Sequence, residues 1–187
     1  MRRADTTTTK RYTTIWQDSM PEIAWGTLIL FAGIVSGYVL VIGGARAGSI
    51  PYPVATLVCA HLCFASFTVM HDAGHGNIFK MGSSLKFIED VLGWIASVPL
   101  LVSPYRLFQK IHDRHHAFTN DPERDPDHFT FGTKWYQILL NTYYIPVKYH
   151  IMSLTTLSHI KIFRDTYASS AVYMVLVFST LLTLVFN

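Results

Sequence analysis

The sequence predicts an all-α integral membrane protein with three transmembrane helices, shorter interfacial helices and a cytosolic cap rich in histidine. Three observations predict it. Half of the 187 residues are hydrophobic and the mean hydropathy is +0.28, high for a chain that must present a polar surface to water. Long stretches at residues 23–45, 47–70 and 167–187 contain no Asp, Glu, Lys or Arg. Eight of the nine histidines fall between the second and third of these stretches.

The elements follow in chain order. Residues 1–21 form a polar tail, threonine-rich at residues 6–9, that lacks the apolar core and small-residue cleavage site of a secretory signal. Residues 22–187 are the membrane domain. At ~1.5 Å per residue, the stretch 23–45 is long enough to cross a hydrocarbon core of ~30 Å. The stretch 47–70 forms the second span, with Pro51 and Pro53 near its start, where a helix tolerates proline. The stretch 167–187 forms the third. Two shorter apolar pieces, 91–105 and 135–147, are too short to cross and are expected to lie at the interface or to re-enter it. Trp135, Tyr136, Tyr143, Tyr144 and Tyr149 suit the headgroup level.

Basic residues set the orientation. Arg2, Arg3, Lys10 and Arg11 precede the first span, Arg46 alone lies in the hairpin, and the other ten lie between spans two and three. By the positive-inside rule, the N-terminus and the long middle segment face the cytoplasm. A net charge of +3 without a basic run gives no footprint for nucleic acid. Cys59 and Cys63, four apart in an apolar stretch, read as packing residues rather than a disulfide.

Chemistry concentrates in two histidine clusters. His71 and His75 are four apart where the second span leaves the membrane, which puts both imidazoles on one helical face. In His112-Asp113-Arg114-His115-His116, His112 shares a face with His115 and His116, while the two adjacent rings diverge by ~100° and can reach different metals. Neutral imidazole suits iron, zinc, copper or nickel. No glutamate stands between the histidines as a zinc protease would require. Two haems bound through His61 and His75 would need a partner helix with matching histidines, and the sequence has none.

H-x-x-x-H after a second span, followed about 36 residues later by H-x-x-H-H, resembles the membrane fatty acid desaturase and hydroxylase superfamily. Asn120-Asp121-Pro122 and Asp125-Pro126-Asp127 are similar to a segment found in its bacterial members. The resemblance spans roughly residues 22–187. It implies a helical membrane domain holding two iron ions through His71, His75, His112, His115 and His116. It also implies a dioxygen-dependent attack on an unactivated C–H bond of a lipid acyl chain, with carotenoid hydroxylation or ketolation as the alternative. Electrons must come from a separate donor, a ferredoxin or a small cytochrome with its reductase, because the chain has no nucleotide or iron–sulfur motif.

Members of the superfamily have a fourth span and a third histidine cluster, neither of which this sequence contains. The expectation is a C-terminally incomplete desaturase-like domain; the alternative is a non-catalytic membrane protein with a partial metal site. Asp72 and Asp113, each following a cluster's first histidine, are candidates to orient a ligand ring from outside the coordination sphere. His61 is expected to be a neutral, hydrogen-bonded membrane residue. His128, His150 and His159 are expected to be ordinary surface or interface residues. Asp121, Glu123, Asp125 and Asp127 alternate as in a calcium loop, but Pro126 and Gly132 occupy the positions that need glycine and glutamate, so this run reads as turn chemistry.

Overall fold

A computed structural model describes residues 21–100 and 105–155, with isolated positions at 172, 175 and 179. Its helices are α1 (Trp25–Arg46), α2 (Tyr52–His75), α3 (Lys86–Ser97), α4 (Tyr105–Phe118) and α5 (Trp135–Thr155), with a 3-10 turn at His128–Thr130. Among the described residues there is no strand, only an isolated bridge between Ile23 and Phe79. The chain divides into two compact units, Met1–Gly93 and Trp94–Asn187.

In the first unit, α1 and α2 are long and apolar enough to cross a membrane. Large apolar side chains project outward all along them, including Ile29, Val39 and Leu40 on α1 and Leu57 and Phe64 on α2. This exposure costs little if lipid is the solvent. The two helices pack through Val41, Ala45 and Ala55, with Ile50 and Cys59 beside them. At Gly37 a β-carbon would lie 3.0 Å from the Leu62 side chain, so the small residue permits the close approach. The Tyr38 hydroxyl donates to the Cys59 carbonyl at 3.3 Å. Cys59 and Cys63 are free thiols.

The helix boundaries follow local chemistry. Pro51 caps α2 and Pro53 sits in its first turn, where the missing amide proton breaks no helical bond. The helix continues past the predicted end of the span at Met70 to His75, and Gly76 closes it in the left-handed conformation at φ 69°. Only glycine adopts that conformation without steric cost.

The short apolar pieces differ from expectation. The piece predicted at 91–105 is divided between α3, which starts five residues earlier at Lys86, and α4, which opens on Tyr105. Pro99 disfavours helix at the residue before it, and α3 stops at Ser97. The piece predicted at 135–147 extends to Thr155 as a 21-residue helix. Lys148 ends the apolar run in the sequence, but a charge does not break a helix as an unsatisfied backbone would. The tail at 1–20 lies outside the described residues, as does the predicted third span at 167–187 apart from the isolated positions.

In the second unit α4 is amphipathic, burying Tyr105, Leu107, Phe108 and Ile111. The Tyr105 ring meets Trp94 edge-on at 5.9 Å. This buried stripe fixes the rotation of the helix and with it the direction of the histidines one turn further on. On α5, Trp135, Tyr136, Leu139, Leu140 and Tyr144 are exposed, in keeping with an interfacial helix.

Candidate metal centre

The first unit carries His71 and His75 in the last turns of α2, both partly buried. Their rings meet edge-on with centroids 4.5 Å apart, as expected of residues one turn apart on one face. Phe67, one turn earlier, lies 5.9 Å from the His71 ring. The Asp72 carboxylate is shared: its Oδ2 accepts a hydrogen bond from the Thr27 hydroxyl at 2.7 Å, and its Oδ1 lies 3.6 Å from His71 Nδ1. It therefore ties the histidine-bearing end of α2 to the start of α1.

The second unit carries His112, His115 and His116 on α4. The His112 ring stacks on Phe108 at 4.9 Å and 17°, extending the buried face of the helix. Its Nε2 lies 3.1 Å from Nε2 of His116, with the rings nearly perpendicular. Two ligand nitrogens each ~2.1 Å from one metal and at right angles to each other lie ~3.0 Å apart. At this distance the two nitrogens either share one ring proton as an N–H···N bond or point at one cation, so the pair can hold a metal ion when both rings present their lone pairs.

His115 is oriented by a different group. Its Nδ1 lies 2.8 Å from Asp125 Oδ1 and 3.6 Å from Asp127 Oδ2. If Nδ1 donates its proton to Asp125, Nε2 keeps its lone pair for a metal, the carboxylate–histidine arrangement that fixes tautomer and ring direction. The Asp125 side chain is almost wholly buried and also accepts from the amides of Asn120 and Asp127, each at 2.8 Å. Burial pushes its pKa up, but the bonds from His115, Asp127 and Asn120 outweigh burial and hold the carboxyl below the ordinary carboxylate range.

The acidic run does serve as turn chemistry. Asn120 adopts φ 65° just after α4, and Asp121 Oδ1 accepts from the amides of Glu123 and Arg124. Arg124 returns to Asp121 at 2.7 Å and lies 4.3 Å above the Phe118 ring. The same turn delivers Asp125 to His115.

The structure brings His71 together with His75, and His112 with His115 and His116. Asp113 is exposed on α4, its side chain making no hydrogen bond or ion pair among the described residues. Sequence reasoning missed the role of Asp125. Its signal was the acidic segment directly after the second cluster, whose carboxylates can fold back on the helix that they follow. His61 is exposed on α2 and, contrary to expectation, its imidazole has no hydrogen-bond partner among the described residues. His128 stacks on Phe131 at 5.7 Å, and its buried Nδ1 has no hydrogen-bond partner among the described residues. His159 and the side chain of His150 lie outside the described residues.

Comparison with known proteins gives one family model, fatty acid desaturase, matching residues 47–187. An omega-3 fatty acid desaturase of Caenorhabditis elegans is 45% identical over 65 residues, covering 35% of this chain and 15% of that protein. An sn-1 oleoyl-lipid 12-desaturase of Synechocystis is 28% identical over 106 residues, covering 54% of this chain and 27% of the relative. An sn-1 acyl-lipid omega-3 desaturase (ferredoxin) of Nostoc is 28% identical over 92 residues, covering 49% and 22%. The matched part of the chain thus spans about a quarter or less of these relatives' length. No solved structure matches the chain.

Proposed function

The chain belongs to the fatty acid desaturase family, and from that premise we propose that it serves a membrane di-iron oxidoreductase that introduces a double bond into lipid acyl chains. The observation that carries this reading is the pairing of imidazoles within a single box of the matched region, His112 and His116 presenting Nε2 atoms 3.1 Å apart. The names of the relatives favour acyl chains over carotenoids as substrate.

In this reading His71, His75, His112, His115 and His116 hold the two irons, and Asp125 orients His115. Iron held there supplies an oxidant, formed from dioxygen, strong enough to break an unactivated C–H bond. The overall change removes two hydrogens from adjacent carbons and reduces dioxygen to two waters, which takes two electrons and two protons from outside. The ferredoxin in the name of the Nostoc relative supports a ferredoxin as the electron donor; a small cytochrome with its reductase is the other class.

The chain's own residues supply position and access. Phe67 and Phe108 place apolar surface against His71 and His112, which limits water beside the rings. Asp125 holds a proton at His115 Nδ1 and leaves Nε2 bare. The outward-facing apolar surfaces of α1 and α2 support a site that a lipid chain reaches without crossing water. The topology that we propose has three spans, with the N-terminus and the histidines on the cytoplasmic side.

The test is expression of the full chain with a ferredoxin and its reductase in a host lacking the corresponding desaturation, with acyl chains read by gas chromatography and mass spectrometry. New double bonds should appear in the wild type and vanish in H71A and H112A. Unchanged acyl chains in cells containing folded, iron-loaded wild-type protein would remove the proposed activity from this chain.

A further inference from the structure

We propose that the ion pair between the partly exposed Lys86 and the buried Glu89 of α3 is a positioning device for the first histidine pair, clamping the loop that ends the histidine-bearing helix. This rests on the metal-binding reading of His71 and His75.

The loop begins one residue after His75. A helix end leaves carbonyls and a following strip of backbone without partners, and here residues 76–79 find them in one ion pair. Lys86 Nζ donates to the carbonyls of Gly76 at 2.6 Å and Phe79 at 2.8 Å. Glu89 Oε1 accepts from the amides of Ile78 and Phe79, the latter at 3.0 Å. The two side chains close on each other at 2.6 Å between Nζ and Oε2. Glu89 is only 3% exposed, and Ile78 and Phe79 are buried with it.

The clamp has an opposite jaw. The amide of Ala24 donates to the Ile78 carbonyl at 2.8 Å, and the amide of Lys80 to the Glu22 carbonyl at 3.2 Å. The loop is therefore held between the start of α1 and the side chains of α3. Space at the helix end is committed as well: a β-carbon on Gly76 would lie 3.1 Å from Lys86 Nζ.

Stability alone does not explain a charge pair in this place. Burying Glu89 gives up hydration that an apolar residue of the same volume would not, and replacing buried charges and their partners by packing is often neutral or favourable. What it supplies is direction, because four backbone groups and two side chains satisfy one another in a single arrangement. A metal ligand needs that, since its ring must be held within roughly 0.5 Å and 10–20° of the productive geometry. His75 gains it from a loop that cannot pivot at Gly76.

The test uses the full chain purified in detergent and titrated with Co(II), whose visible absorption reports ligand geometry. The wild-type spectrum minus that of H71A isolates the first pair. E89Q and K86M are expected to weaken Co(II) binding at that pair by roughly 10–100-fold and to shift its absorption bands, with helix content unchanged at the titration temperature. K86R, which keeps charge and donors, should recover part of the affinity. If E89Q does not fold, K86M decides by the same readout. A lower melting temperature with wild-type cobalt affinity and spectrum in E89Q or K86M would overturn the positioning role and leave a purely structural one. A wild-type chain that takes up no cobalt would overturn the metal-binding reading itself, a result distinct from equal binding by wild type and variants.

Discussion

At His115 the two ring nitrogens have different duties. Nδ1 is committed to Asp125 at 2.8 Å, so the ring's direction is set by a residue ten positions later in the chain. D125N keeps the shape but removes the charge that favours a proton on Nδ1. Titration of the purified chain with Fe(II) or Co(II) should show affinity at the second cluster falling roughly 10–100-fold. D113N should leave it unchanged, because Asp113 is exposed. Asp121 gives a separate pH effect. The hydrogen bond from the Arg124 side chain, together with the bonds from the Glu123 and Arg124 amides, holds its carboxyl below the ordinary range. A lowered folded-state pKa contributes stability that is present above the unfolded value near ~4 and is lost as pH falls through the folded value. Amide protection at Glu123 and Arg124, measured by hydrogen exchange, should therefore drop on acidification below that range, and D121N should abolish the step. The five histidines were legible because helical spacing is written into sequence. Asp125 was not, because adjacency pointed to Asp113 while the contact is made by a turn folding back through Asn120 and Asp121.

For the helices, the boundaries that were legible are those set by one residue's backbone chemistry. Pro51 and Pro53 start α2; its end at Gly76 was not read from the sequence, which set the span's end at Met70. G76A should cost about 1–2 kcal/mol, the penalty for placing a side chain in the left-handed region, read as a lower denaturation midpoint in detergent. The proximity of Lys86 to that position adds to the loss. Hidden from the sequence was the start of α3. Glu89 looks like a solvated charge, and the apolar run begins only after Asp90. Pairing with Lys86 one turn earlier and with two loop amides lets Glu89 be buried, and the helix then includes both. The length of α5 was hidden for a related reason: Lys148 and His150 interrupt its apolarity but not its backbone bonding.

Over the whole molecule, the membrane character was legible from uncharged length alone, and α1 and α2 match the predicted spans to within a few residues apart from the extension of α2 to His75. Their outward-facing Leu, Ile, Val and Phe side chains predict that the chain stays with the membrane pellet through an alkaline carbonate wash and is released only by detergent. The desaturase family carries the histidine boxes into this picture, and the central claim is that those boxes hold iron. Elemental analysis of the purified full chain, loaded anaerobically with Fe(II) and desalted, tests it most directly. The account predicts bound iron in the wild type and a clear loss in both H71A and H112A; an iron-free wild type, or variants that keep its full iron content, would contradict it.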